Sequence, residues 1–165
     1  MSENHDHCRI EHAAGAIAYE FASYDGSALQ QGALWPGSPG TVRTVGAAPV
    51  LMHYAPGRWL APTPDAGALS LLAEAQQAGT GIMVEVTGKW DTLRILGPGA
   101  ARLLACTINW HMVLEQRDCA AVTLFDCPAI LMRAADGFAI WVQSSYTRQF
   151  LSTAEHYRAS LEADA

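Results

Sequence analysis

The sequence predicts an α+β fold, and three observations carry that prediction. Segments with a two-residue apolar alternation, the period of half-buried strands, recur between Ala16 and Gln143. Two stretches, Thr63 to Gly79 and Ser144 to Leu161, instead space their apolar residues three and four apart, as helices do. The strands do not alternate strictly with helices, which a wholly parallel sheet would require.

The opening residues, Met1 to His12, are polar, lack the apolar centre of a signal peptide, and read as a flexible leader before a single domain spanning 13–165. From Ala16 to Ser23, Ile17, Tyr19 and Phe21 alternate with smaller or polar neighbours, a strand that Asp25-Gly26 breaks. A short helical turn follows around Ser27 to Gln31. Trp35 to Gly40 packs two prolines and two glycines into six residues and is a loop. Val42 to Val45 and Pro49 to Tyr54 read as strands, and Pro56-Gly57 turns the chain into Arg58-Trp59-Leu60.

Thr63-Pro64-Asp65 starts a helix: Thr63 can cap it, Pro64 suits the first helical position, and Asp65 favours the positive end of the dipole. Leu69, Leu72, Ala73 and Gln76 share one face and Gly79 ends it. Gly81 to Thr87 and Trp90 to Leu96 are strands joined through Gly88, and Pro98 to Ala105 is a short helix burying Leu103 and Leu104. Cys119 to Phe125, Ala129 to Arg133 and Phe138 to Gln143 complete the strands, with Asp136-Gly137 as a tight turn. The last helix, capped by Ser144 or Ser145, carries the apolar stripe Tyr146, Phe150, Thr153, Ala154, Tyr157 and Leu161. The order strand–helix–strand–strand–helix–strand, roughly repeated, suggests a ferredoxin-like or duplicated split-βαβ arrangement.

Composition narrows the function classes. Of 165 residues, 50% are hydrophobic and only 16% charged, against about 25% in an ordinary soluble domain. So few charges imply a large core or apolar surface reserved for a partner. The basic residues are all Arg except Lys89, which fits either an interface that favours desolvated guanidinium groups or a codon bias towards Arg. With a net charge of −6 and no basic run, nothing supplies a nucleic-acid footprint. No apolar stretch approaches the roughly 20 residues of a membrane span. Cys8, Cys106, Cys119 and Cys127 form no Cys-x-x-Cys pair, and the expectation is reduced thiols in a soluble, cytoplasmic protein.

No constellation declares a reaction. His5-Asp6-His7-Cys8, with Glu11 and His12 beyond, has the ligand types of a transition-metal site but sits in the leader, with no core to fix its geometry. Cys106, Asn109 and His111 invite a Cys–His–Asn hydrolase reading, yet such triads draw their members from distant segments. Gly97-Pro98-Gly99 lacks the dinucleotide fingerprint, and its proline removes an amide donor. Glu85, Asp91, Asp118 and Asp126 fall on separate strands or loops and form no acid–base pair by spacing. No catalytic or metal-binding residue is assigned. Of five tryptophans, Trp90 and Trp141 belong to strand cores. Trp35, Trp59 and Trp110 lie in or beside loops, where an indole either faces a partner or covers a loop cluster, and these three are the candidate partner interface.

Several motifs, taken in order, carry a family resemblance. They are Val50-Leu-Met-His-Tyr-Ala-Pro-Gly-Arg-Trp-Leu60, then Val84-Glu-Val-Thr87, then Leu93-Arg-Ile-Leu-Gly-Pro98 followed by Ala100, Ala101, Leu103 and Leu104. Cys119-Ala-Ala-Val-Thr123 and Phe138 to Phe150, with Ser145 before the last helix, complete them. In this order they resemble the gamma subunit of heterotetrameric sarcosine oxidase, related to the folate-binding domain of glycine-cleavage aminomethyltransferases, over Ala16 to Leu161. Thr87-Gly88-Lys89 and Asn109-Trp110-His111 depart from the family pattern. The resemblance implies a non-catalytic subunit held against larger flavoprotein chains. In such complexes those chains hold FAD, FMN, NAD and tetrahydrofolate, oxidatively demethylate an N-methylated amino acid or amine, and pass its one-carbon unit to folate. The rival readings are a stand-alone folate-binding or aminomethyltransferase-like protein, and a small hydrolase using Cys106 and His111.

Overall fold

A computed structural model describes residues 8–13, 17–24, 36, 38–46 and 48–163. They divide into two compact units: Gly15–Gly88 with Gln116–Ala120, and Met1–Ala14 with Lys89–Glu115 and Ala121–Ala165. The expected helical turn at 27–31 lies outside the described residues.

The unit built around Gly15–Gly88 contains a five-stranded antiparallel sheet in the order β3-β4-β5-β2-β6. Its strands are β2 (Tyr19–Ser23), β3 (Thr41–Val45), β4 (Ala48–Ala55), β5 (Arg58–Ala61) and β6 (Gly81–Glu85), with helix α1 (Ala66–Gln77) between the last two. β5 and β6 flank β2, each antiparallel to it, so the β5–α1–β6 connection is a split βαβ unit. Its core joins Phe21, Leu51, Trp59 and Ala61 from the strands to Leu72 and Ala75 of α1.

Two details of α1 depart from the sequence reading. The cap is Asp65, whose Oδ1 accepts from the Ala68 amide at 2.6 Å, while Thr63 Oγ1 donates to the Pro49 carbonyl instead. The fully buried stripe is Ala68, Leu72 and Ala75, with Leu69 and Ala73 only half-buried. Small Ala68 and Ala75 let the helix approach the sheet closely, a preference for shape that a hydrophobicity count misses.

In the other unit the sheet order is β1-β7-β10-β9-β8. The strands are β1 (Arg9–Ala13), β7 (Trp90–Leu96), β8 (Cys119–Leu124, whose first two residues belong to the other unit), β9 (Cys127–Ala134) and β10 (Gly137–Gln143). Here two strands, β10 and β9, separate β7 from β8, so the wiring is hairpins rather than a second split βαβ unit. Helices α2 (Ala100–Ala105) and α3 (Trp110–Val113) follow β7, and α4 (Thr147–Ala163) closes the chain after a 3-10 turn at Ser144–Tyr146.

The leader expectation is corrected at residues 9–12. Arg9 to Ala13 pairs with Leu96 to Thr92 as the edge strand β1, and Cys8 before it is buried. Its polar character reflects its edge position: Arg9 pairs with Glu11 at 2.8 Å, on a strand with one neighbour rather than two. The β9–β10 turn is Ala135-Asp136, and Gly137 is already ladder, opposite Leu96 and Ala134. Its φ is 151°, and a Cβ there would collide with the Ile95 carbonyl, so only glycine lets β10 pass so close to β7.

Candidate functional site

The three tryptophans of the expected partner interface part company. Trp35 lies outside the described residues. Trp59 is a core residue at 2% exposure, edge-on to Phe21 at 5.8 Å and stacked on His53 at 4.2 Å. Strand alternation in β5 sets it on the face that α1 covers, which removes it from any exposed surface. Trp110, the first residue of α3, is half-buried. Its indole N–H donates to the Ala101 carbonyl at 3.1 Å, and its ring packs edge-on to Phe138 at 5.1 Å. His111 stacks on it at 3.6 Å, the Arg133 guanidinium lies 5.3 Å from the ring centre, and Met112 beside it is 73% exposed. Asn109 holds this short helix in place, its side chain accepting from the Met112 amide. Trp110 therefore combines an anchoring role with a place on an outward patch of types favoured at interfaces.

The other sequence candidates are structural. Cys106 Sγ donates to the Arg102 carbonyl at 3.6 Å, one turn back in its own helix, while His111 lies on Trp110, so no hydrogen bond links the two. Residues 5–7 lie outside the described residues. Among the described residues no group of three or more His, Cys, Asp or Glu could hold a metal ion. Gly97 adopts φ 94° and its carbonyl accepts from the Ala100 amide, a tight strand-to-helix corner.

Two polar clusters carry the electrostatics. His53, 4% exposed in β4, sets Nδ1 3.1 Å from the Pro36 carbonyl, and its Nε2 has no partner. Burial pushes its pKa below the usual 6.5, against the pull of backbone carbonyls including Pro36, so the ring is held neutral. Asp91, in β7, receives the Thr147 hydroxyl at 2.7 Å and faces His12 Nε2 at 3.5 Å. Burial pushes its carboxyl up, but hydrogen bonds from Thr147 and Ser144 and the proximity of His12 outweigh it, and the net direction is down. In this cluster carboxylate, imidazole and two hydroxyls meet, yet Thr147, Ser144 and His12 all converge on Asp91, so no hydroxyl is handed to an imidazole base as a nucleophile requires.

One cavity of about 530 Å³ opens in the unit that contains α4. It lies between the C-terminal end of α2 (Cys106, Thr107), strand β8 (Thr123), the β8–β9 turn (Phe125, Asp126) and Tyr157 of α4. The turn residues have φ of 48° and 62°, a two-residue hairpin of the left-handed kind ordinarily built from Asn and Gly. Phe125 accepts that conformation because its ring is buried, edge-on to Phe150 at 5.0 Å and tilted against Tyr157 at 5.9 Å. The cavity was not visible in the sequence: the only local signal is a two-residue interruption of strand alternation at Phe125-Asp126, without the glycine that marks such turns.

The geometry defines an α+β chain with two five-stranded antiparallel sheets, few helices and no assembled catalytic centre among the described residues. That fold is shared by a chain of the heterotetrameric sarcosine oxidase from Corynebacterium sp. U-96, solved in complex with pyrrole 2-carboxylate. The likeness has a TM-score of 0.76 at 15% sequence identity and covers 96% of this chain and 87% of that one. No protein-family model matches this chain, and no curated protein does. Among the described residues no helix is long and apolar enough to cross a membrane.

Proposed function

We propose that this chain is a non-catalytic, gamma-type subunit of a heterotetrameric sarcosine oxidase-like flavoenzyme. The observation that carries the reading is the near-complete overlap in both directions, 96% of this chain with 87% of one chain of such an assembly. The charge-poor composition, and the outward patch of Met112, His111 and Arg133 around Trp110, suit a chain that meets partners. In this reading the chain holds no cofactor of its own. FAD, FMN, NAD and tetrahydrofolate belong to larger flavoprotein subunits, which demethylate an N-methylated amino acid or amine and transfer its one-carbon unit to folate in the cytoplasm.

The test is native co-purification of the chain from its source cells, with absorbance scanning for flavin. Recovery with larger chains that carry a flavin spectrum is the expected result. Recovery of a lone, colourless monomer that binds tetrahydrofolate would favour the stand-alone folate-binding reading instead.

A further inference from the structure

The cavity beside Asp126 has a lining that selects its ligand by charge. No Lys, Arg or His borders it, and Asp126 is its one formally charged side chain. Asp126 itself is exposed to solvent. The half-exposed Tyr157 ring forms one wall, with the Phe125 ring buried behind it, and the remaining polar groups are the neutral side chains of Thr107, Thr123 and Cys106. An anion would meet a carboxylate with nothing to offset it. A bare metal ion would find one carboxylate and no cluster of further ligands. An organic cation meets both halves of the site, its charge towards Asp126 and its apolar flank towards the Tyr157 ring. A volume of about 530 Å³ is also in the range of small-molecule sites.

We propose that this cavity is a binding site for a small organic cation, a substituted ammonium or guanidinium group, held between the Asp126 carboxylate and the Tyr157 ring. The group can belong to a free amine or to a Lys or Arg side chain of another protein, since both present the same chemistry. The proposal stands independently of the subunit reading, because every residue it uses belongs to this chain.

Cys106 supplies the test, because it lines the cavity and is the exposed one of the four cysteines. The rate of Cys106 modification by neutral iodoacetamide is measured on the full chain against rising methylguanidinium, with tetramethylammonium as second cation and methylurea as neutral control. Saturable, several-fold slowing by the cations and none by methylurea is expected. In Asp126→Asn the midpoint should rise about two- to fivefold, the loss appropriate to one solvent-exposed charged contact. Asparagine tolerates positive φ, so this variant keeps the turn. Tyr157→Leu should weaken the effect through the other half of the site. Absence of slowing, equal slowing by methylurea, or slowing unchanged in both variants overturns the proposal. The same rate measured on the chain as recovered from its source cells separates the sources. Shielding without added amine, relieved when other chains are removed, assigns the cation to a protein side chain; shielding only on addition assigns it to a free solute.

Discussion

Asp91 accepts a hydrogen bond from Thr147 at 2.7 Å, joining the second residue of β7 to the first residue of α4 across 56 positions of sequence. The Thr147 side chain is buried, and Asp91 is further engaged by Ser144 and His12. The contact fixes the start of the closing helix relative to the central β7–β10 pair, which Ser144 also grips by donating its amide to the Lys89 carbonyl at 2.8 Å. From it follows the first of four expectations.

Thr147→Val keeps the shape and removes the hydroxyl, and should cost about 1–2 kcal/mol in urea unfolding at neutral pH. Because the folded Asp91 carboxyl lies below its ordinary 3.8, its contribution is present above that value and lost as pH falls through the folded one. The gap between wild type and Thr147→Val should therefore narrow on acidification below the ordinary carboxyl range. A constant gap across pH would refute the assignment to Asp91.

His53 gives a pH dependence at milder acidity. Its folded pKa lies below 6.5, so between the two values the unfolded chain binds a proton that the folded chain does not. Stability from this residue is complete above 6.5 and declines as pH falls towards the folded value. His53→Phe retains a ring to stack on Trp59 and removes the titration. Thermal melts from pH 7 to more acid conditions should show a shallower decline for the variant than for wild type.

Trp59 and Trp110 should separate in mutagenesis. Trp59→Ala empties a site between His53, Phe21 and α1 and should cost about 3–5 kcal/mol by chemical denaturation. Trp110→Ala also loses packing on Phe138 and the Ala101 contact, but only half of the residue is inside, so about 2 kcal/mol is expected. Met112→Ser, at a 73% exposed position, should leave stability unchanged within about 0.5 kcal/mol while weakening recovery with larger chains.

Thiol chemistry should report burial directly. Cys119 is pushed up to about 12, chiefly by burial, and burial also pushes Cys8 and Cys127 up. In the native chain near pH 8 only Cys106 should react with a thiol reagent, and in denaturant all four. Mass spectrometry of the modified peptides would assign the sites, and native labelling of Cys119 would contradict the packing around β8.

Much of the element order was legible because periodicity is local. The alternation in Tyr19–Ser23 and Trp90–Leu96 and the spacing of Phe150 and Ala154 each reflect which side chains one element turns towards a core. Where the reading failed, competition between local signals decided. Thr63, Pro64 and Asp65 all suit a helix start, and Asp65 caps because Thr63 is engaged by Pro49, a partner 14 residues away. Arg9 to His12 looked like part of a leader because an edge strand with charged side chains has no apolar period to detect.

The sequence by itself determined the α+β class, most strands and helices, the charge-poor composition and the lack of a local catalytic motif. Only the tertiary structure decided that Trp59 is core, that Asp91 meets Thr147, and that Cys106, Asp126 and Tyr157 border one cavity. Those relationships join residues tens of positions apart, brought together by strand order and helix packing, and neither leaves a trace in the period of any one segment.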